Sequence, residues 1–300
     1  MMSPDTFEIA KAISSLQNET NYFKDYIFPF LSTSGSVVAG YFIASYSFRS
    51  QEKTKAEIDK VNKLNEFFIS IDGGLQTLTA IKSIYSGRIN SDPVQRALSI
   101  PRIECHISEP PDPKTIVFLT KGNEQVSGEP YYSSWNNLPR INAMVGNYAH
   151  LCNRISARNN FKTEISHFLE YSGNGEGHIN FEKLTNKDWR VFRQLVDSTE
   201  SVITLVDGLL KEYYSFLINM HTAASKSINK KLIKGHVELL SYSNNSEMFR
   251  SQLDPCPPVD VDSLAHILKI TKENASEIYI TGYENVPVEH EPALQAKIAK

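Results

Sequence analysis

The longest amphipathic pattern in the chain covers residues 189–220 and reads WRVFRQLVDSTESVITLVDGLLKEYYSFLINM. Its apolar residues recur at steps of three and four, so they line one face of a helix for about nine turns. Thr185 and Asn186, just before it, are good N-cap residues. Charged residues such as Asp197 and Glu200 interrupt it too regularly for a membrane span. The pattern therefore predicts a long amphipathic helix at the centre of a helical domain.

Two other regions have helical periodicity. In residues 51–85 the apolar side chains are spaced alternately three and four positions apart. This spacing fits a coiled-coil seam and packing on the chain's own domain equally well. The glycine pair at 73–74 predicts a kink or a close helix crossing there. Residues 138–171 have the same spacing but are broken by the asparagine pair at 159–160. This predicts two helices or one bent helix.

The regions between and after these helices contain turn signals. Six prolines between residues 86 and 139 make long helices improbable there, and Thr115–Thr120 is an apolar run that fits a strand or a buried helical turn. Residues 172–178, SGNGEGH, form the clearest turn cluster, without the Lys and Ser/Thr of a phosphate loop. The remaining predictions are a short helix over 264–270 capped by Asp262, a terminal strand over 278–281 and a loose tail over 286–300.

Residues 26–48 carry no formal charge and are flanked by Asp25 and Arg49. As a helix this run rises about 34 Å, enough for a hydrocarbon core of about 30 Å. Tyrosines near both ends suit the membrane interface. Pro29, two glycines, a threonine and five serines make the run only marginally apolar, and a buried helix in a soluble core is the alternative. We predict a single transmembrane helix.

Small residues recur at every fourth position of this run: Ser32, Ser36, Gly40 and Ala44. They share one stripe of a helix, and small residues let two helices approach closely in lipid. The stripe predicts helix packing in the membrane, with a second copy of the chain or with a partner membrane protein. The alternative is that small residues simply occur often in membrane helices.

Charge placement predicts the orientation of the span. Only Lys11 and Lys24 precede it among the basic residues, whereas five basic residues follow within about 15 positions. The positive-inside rule then places the N-terminus outside and the C-terminal domain in the cytoplasm, at the cell (inner) membrane. The first 25 residues lack the basic start of a cleavable signal peptide and contain a short amphipathic pattern, so we expect an uncleaved anchor.

Composition limits the function classes. A net charge of −3 argues against a general nucleic-acid-binding surface, and no nucleic-acid partner is predicted. Cys105, Cys152 and Cys256 are an odd number without CxxC spacing, which is typical of reduced cytoplasmic thiols. His150 and Cys152 point about 200° apart on a helix, so they cannot share a metal by themselves.

Common enzyme motifs do not fit the chain. The pair Glu176 and His178 has no third partner, and the spacings from Arg102 to His106 and from Arg158 to His167 do not fit the Arg and His spacing of small helical RNases. The chain has no Gly-x-Ser-x-Gly or His-Glu-x-x-His sequence. No catalytic residue, cofactor or metal ligand is therefore assigned, and an enzyme is less expected than a binding protein.

The sequence as a whole predicts a mainly α protein with minor β structure. A transmembrane helix continues into a helical stalk and a helical cytoplasmic domain. The predicted segments are an amphipathic segment 1–25, the span 26–48, the stalk 49–85, a loop-rich segment 86–139, the helical domain 140–285 and a tail 286–300. The favoured function is a membrane-anchored interaction or scaffold protein whose partners are the lipid bilayer and another membrane protein or a second copy. The alternatives are a membrane-tethered effector or sensor, and a tethered hydrolase or nuclease with an unrecognised site.

Overall fold

A computed structural model describes residues 4–16, 26–105, 111–120, 135–171 and 177–279. Over these residues the protein is mainly α, as predicted, with one small antiparallel ladder. The helices are α1 (Pro4–Leu16), α2 (Phe28–Tyr85), α3 (Pro93–Ser99), α4 (Leu138–Ile165), α5 (Asn186–Ser225), α6 (Lys230–Ile233), α7 (Glu247–Leu253), α8 (Val261–Leu268) and α9 (Lys272–Tyr279). Short 3-10 helices cover Pro113–Thr120, Ser166–Phe168 and Phe181–Lys183, and the strands are β1 (Leu169–Tyr171) and β2 (Gly177–Ile179).

The chain divides into two compact units, Met1–Ala56 and Glu57–Lys300. The first contains α1 and the beginning of α2. No helix within the described ranges is long and apolar enough to cross a membrane. The predicted transmembrane helix is thus not supported. The 58 residues of α2 supply ample length, so the reason is composition: Pro29, two glycines, a threonine and five serines dilute the apolar side chains of residues 26–48.

The second unit is built around α5. A capping box starts this helix: the Thr185 amide donates to the Asp188 carboxylate at 2.9 Å, and the Asp188 amide donates to the Thr185 hydroxyl at 3.3 Å. Its apolar residues pack with those of α4 and of the later turns of α2 in one core. Buried members of that core include Leu64, Ile71, Leu75, Leu78, Tyr85, Ile155, Leu209, Tyr213 and Phe216. Residues of α2 from Val61 onward therefore pack on their own domain.

A second, smaller core surrounds the first turns of α5. Phe192 and Leu195 are fully buried there with Ala97 of α3 and Leu264 of α8. The Trp189 and Phe181 rings stack at 5.2 Å between centroids. Because α5 contributes to both cores, one continuous helix joins them.

The structure corrects the predicted break at residues 159–160, which was expected to give two helices or one bent helix. Helix α4 runs unbroken through residues 159–160. The Asn159 side chain does not compete with the helix backbone, because it pairs with the backbone of Ile103 instead. After α4 the chain forms β1 and β2, which pair antiparallel on either side of residues 172–176. Those five residues lie outside the described part.

The C-terminal elements also require corrections. The cap of α8 is Asp260, not Asp262: its carboxylate accepts from the amides of Asp262 and Ser263. Residues 278–279 belong to helix α9 rather than to a strand. The helical form is favoured because Ala275 and Tyr279, four residues apart, are both buried. The predicted tail 286–300 lies outside the described residues.

The run 115–120 is part of a 3-10 helix in which Ile116 and Leu119 are buried. Of the two predicted alternatives, the structure therefore has the buried helical turn and not the strand.

The glycine pair at 73–74 gives a stability prediction with a built-in control. A Cβ on Gly74 would lie 2.5 Å from Cε2 of Tyr213, whose ring is itself stacked on Tyr148 in the core. We expect Gly74→Ala to lower the free energy of unfolding by about 1 to 3 kcal/mol. Gly73 is exposed and has nothing within 4 Å of its Cβ position, so Gly73→Ala should stabilise by up to about 1 kcal/mol.

Urea unfolding of the two variants, followed by far-UV circular dichroism, measures both effects. Equal changes for Gly73→Ala and Gly74→Ala would show that helix propensity, not the contact between Gly74 and the Tyr213 ring, determines the choice of glycine.

Candidate functional site

The predicted packing residues Ser32, Ser36, Gly40 and Ala44 lie exposed on α2 in the first unit. Nothing lies within 4 Å of a Cβ built on Gly40. Helical geometry turns about 100° per residue, so positions four apart drift slowly and keep to one side of the helix. The structure brings no other described residue against this stripe at Gly40.

Large apolar side chains occupy the other sides of the same segment. Each of ten residues between Phe28 and Phe48 exposes 53% to 79% of its surface. They are Phe28, Phe30, Leu31, Val37, Val38, Tyr41, Phe42, Ile43, Tyr46 and Phe48. At about 100° per residue they surround the helix except where the small-residue stripe runs. We call this exposed surface of residues 28–48 the apolar segment.

Two serine hydroxyl groups of the apolar segment form hydrogen bonds inside the helix. Ser32 donates to the Pro29 carbonyl at 3.0 Å, and Ser36 donates to the Thr33 carbonyl at 2.8 Å. Such bonds satisfy hydroxyl donors without water. These two serines are therefore less costly in an apolar environment than their polarity suggests.

The second unit contains a buried polar layer between its two cores. Arg158 of α4 is fully buried, and its pKa is lowered to about 10 by burial. Its Nε donates to the Thr199 hydroxyl at 3.0 Å and its Nη1 to the Pro101 carbonyl at 2.9 Å. Nη2 donates to the carbonyls of Ile100 at 2.6 Å and Ala97 at 3.4 Å. All four acceptors are neutral.

Two neighbouring side chains of α4 hold the same stretch of chain, residues 97–105. Lys162 donates to the carbonyls of Leu98 and Ile100, and burial, then the Arg158 charge, lowers its pKa to about 8. Asn159 accepts from the Ile103 amide at 3.2 Å and donates to the Ile103 carbonyl at 2.7 Å. We call residues 97–105 the clamped segment, because these side chains fix its backbone along α4.

Two ion pairs complete the buried polar layer. Arg96 Nε lies 3.1 Å from the Glu200 carboxylate, and burial raises the pKa of Glu200 to about 7 although Arg96 opposes the shift. Lys82 Nζ lies 2.7 Å from Asp207, which also accepts from the Cys256 amide at 2.8 Å. Lys82 further donates to the Asp254 carbonyl. These pairs connect α2, α3 and α5 with residues 254–257.

Two cysteines meet at the end of the clamped segment. The sulfur atoms of Cys105 and Cys152 are 2.6 Å apart, and both are thiols. Cys152 is buried, whereas Cys105 is only partly covered. The hydroxyl of Tyr148 also interacts with Cys105, and burial raises the pKa of Tyr148 to about 12.

Two of the other pairs weighed for chemistry lie within the described residues, and in each pair one side chain is buried and the other exposed. His150 is exposed while Cys152, two residues on, is buried. Arg158 is buried and His167 is exposed. His106 and Glu176 lie outside the described residues. Within the described ranges no group of three or more His, Cys, Asp and Glu side chains could hold a metal ion.

Sequence reasoning missed the buried polar layer, although one signal was present. Glu200 lies four residues after Val196 and three before Ile203, both of which are buried. A charged residue at this spacing falls on the core face of a helix. The pairing of Cys105 with Cys152 had no such signal, since 47 residues separate them.

Comparisons with known protein families, curated proteins and solved structures find no match for this chain.

Proposed function

We propose that this protein is held at a membrane by the apolar segment and presents its second unit as an interaction or scaffold domain. The supporting observation is the exposure of ten large apolar side chains along residues 28–48. Contiguous exposed apolar surface of this kind marks contact with a membrane or a partner. The uncharged length and the internal bonding of Ser32 and Ser36 favour lipid.

The small-residue stripe gives the anchor a second role in this proposal. Large side chains on the remaining sides of the helix contact lipid, and the side with Ser32, Ser36, Gly40 and Ala44 packs on a second copy of the chain. Close helix packing in lipid depends on small residues because lipid solvates large apolar side chains as well as protein does. A packed partner would also cover the serines that make residues 26–48 only marginally apolar.

Charges next to the apolar segment support a cytoplasmic location for the second unit. Arg49, Lys53 and Lys55 are exposed directly after it. Lys60 and Lys63 follow in the second unit and pair with Glu57 and Asp59. Exposed basic residues beside a membrane segment attract anionic headgroups and favour the cytoplasmic side.

The buried charged side chains of the second unit have structural partners, which favours a binding role for this unit over catalysis. Arg96, Arg158, Lys82, Glu200 and Asp207 are engaged with one another or with backbone carbonyls. Their contacts hold helices together, which is a structural task.

Vesicle flotation tests the proposal. The full chain, reconstituted from detergent with vesicles of zwitterionic and anionic phospholipid, should float in a density gradient and stay bound at high salt. The double variant Val38→Asp/Ile43→Asp should lose most flotation, because each charge at a helix centre costs about 2.5 to 3.5 kcal/mol in a bilayer. Wild-type protein at the bottom of the gradient would contradict the anchor.

Gly40→Ile is the matched variant for the same segment. It keeps the segment apolar, so flotation should persist, but it fills the stripe and should lower the yield of crosslinked dimer in vesicles. An unchanged dimer yield would remove the self-association while leaving the anchor.

A further inference from the structure

Cys105 and Cys152 are placed for direct reaction with each other. Their sulfur atoms are 2.6 Å apart, and a disulfide bond is about 2.05 Å long. No large movement of either backbone is needed to close such a gap. The two residues are 47 positions apart in sequence, so the contact is made by the fold and not by local chain geometry.

The clamped segment is what holds Cys105 at this position. Asn159 bonds to both the amide and the carbonyl of Ile103, two residues before the cysteine. Asn159 and Cys152 are seven residues apart on α4 and therefore share a face of that helix. The neighbouring bonds from Arg158 to Ile100 and Pro101 fix the segment further upstream. The hydrogen bonds of Asn159 and Arg158 thus preorganise the thiol pair, although neither residue belongs to it.

The two thiols differ in reactivity. The hydrogen bond with Cys152 lowers the pKa of Cys105 against the effect of burial, and a hydrogen bond with Tyr148 also lowers it. The hydrogen bond with Cys105, burial and the charge of Cys105 together raise the pKa of Cys152 well above its ordinary value. Cys105, the more accessible of the two, therefore forms a thiolate more readily than Cys152 does.

Cys256 provides an internal comparison. Its sulfur faces the Asp207 carboxylate at 3.8 Å, and burial, then that negative charge, raises its pKa to about 12. Thiolate is the reactive form of cysteine, so Cys256 should exchange slowly.

We propose that Cys105 and Cys152 form a reversible redox site that closes to an intramolecular disulfide by exchange with a small-molecule disulfide such as glutathione disulfide. The Cys105 thiolate attacks one sulfur of the oxidant, and one glutathione leaves as a thiolate. Cys152 then loses its proton and attacks Cys105, and the second glutathione leaves as a thiolate that takes up a proton. The oxidant is reduced by two electrons and the two protein thiols are oxidised. The product joins the clamped segment covalently to α4.

The test uses the full chain, reduced and then incubated with excess glutathione disulfide. Wild type should fall from three titratable thiols to one, with an intact mass lower by two hydrogens and a peptide that links Cys105 to Cys152. Cys256→Ser should form the same bridge. Cys152→Ser should accumulate glutathione on Cys105, and Cys105→Ser should react at least about tenfold more slowly than wild type.

Several outcomes would overturn the proposal. One is that wild type keeps all three thiols under these conditions. Another is a lasting glutathione adduct on Cys105 with Cys152 free, and the last is a disulfide that includes Cys256. Circular dichroism of each Ser variant before oxidation shows whether it is folded. Quenching wild type with a thiol-alkylating reagent at successive times keeps the test valid even if a variant unfolds.

Discussion

Arg158→Ala should lower the free energy of unfolding by about 2 to 5 kcal/mol, the range for truncating a large buried side chain to alanine. The guanidinium is fully buried and donates to Thr199, Pro101, Ile100 and Ala97. Removing it leaves buried carbonyl oxygens without their donors and opens a cavity between the two cores. Thr199 cannot compensate, because its single hydroxyl proton goes to the Leu195 carbonyl.

Arg154 on the same helix is the matched control. Its side chain is 39% exposed and lies 3.5 Å from Asp197. Arg154→Ala should cost less than about 1 kcal/mol, as is usual for surface ion pairs. Urea unfolding followed by tryptophan fluorescence measures both variants, since Trp135 is buried in the core. Similar losses for Arg154→Ala and Arg158→Ala would mean that the clamped segment contributes little to stability.

Arg158→Lys separates charge from geometry. Lysine keeps the positive charge but has one nitrogen in place of the three that contact Thr199, Pro101 and Ile100. We expect a stability between those of wild type and Arg158→Ala. Full stability in Arg158→Lys would show that the charge alone, and not the three-way bonding, is required.

Asp207→Asn should cost about 3 to 5 kcal/mol, because it leaves the ammonium group of Lys82 buried without a counter-charge. The Lys82 side chain is 1% exposed and the pair is separated by 2.7 Å. The neutral side-chain amide introduced by Asp207→Asn is also a weaker acceptor for the Cys256 amide, whose bond to the carboxylate holds residues 254–257. The variant should therefore loosen that stretch as well as the α2 to α5 contact.

A double-mutant cycle identifies the buried charge as the cause. Lys82→Met/Asp207→Asn removes the stranded ammonium, so the double variant should be more stable than Asp207→Asn alone. Urea unfolding gives the coupling free energy between Lys82 and Asp207, which we expect to be about 1 to 3 kcal/mol. Strictly additive losses would show that Lys82 and Asp207 act independently.

The long helices could be predicted because apolar spacing is a local property. The spacing over 189–220 and 51–85 gave α5 and the later part of α2, and Thr185 gave the start of α5. Helix α9 was mistaken for a strand because the run Ile278-Tyr279-Ile280 has strand-like composition, while the helix is stabilised by burial of Ala275 and Tyr279.

The polar layer and the thiol pair depend on contacts distant in sequence. Arg158 lies at the core spacing of α4, three residues after Ile155, but composition alone assigns an arginine to the surface. Three of its four acceptors are carbonyls of a segment 57 to 61 residues earlier in the chain. Carbonyl groups have no sequence signature, so neither the clamped segment nor the approach of Cys105 to Cys152 could be derived without the fold.

Alkaline carbonate extraction of cells that express the full chain tests the proposed membrane anchor most directly. The wild-type chain should stay in the membrane pellet after extraction, because carbonate releases proteins held by charge but not those held by apolar contact. Val38→Asp/Ile43→Asp should move to the supernatant while the second unit remains folded, since both changes lie in the first unit. Wild-type protein found in the carbonate supernatant would contradict the account.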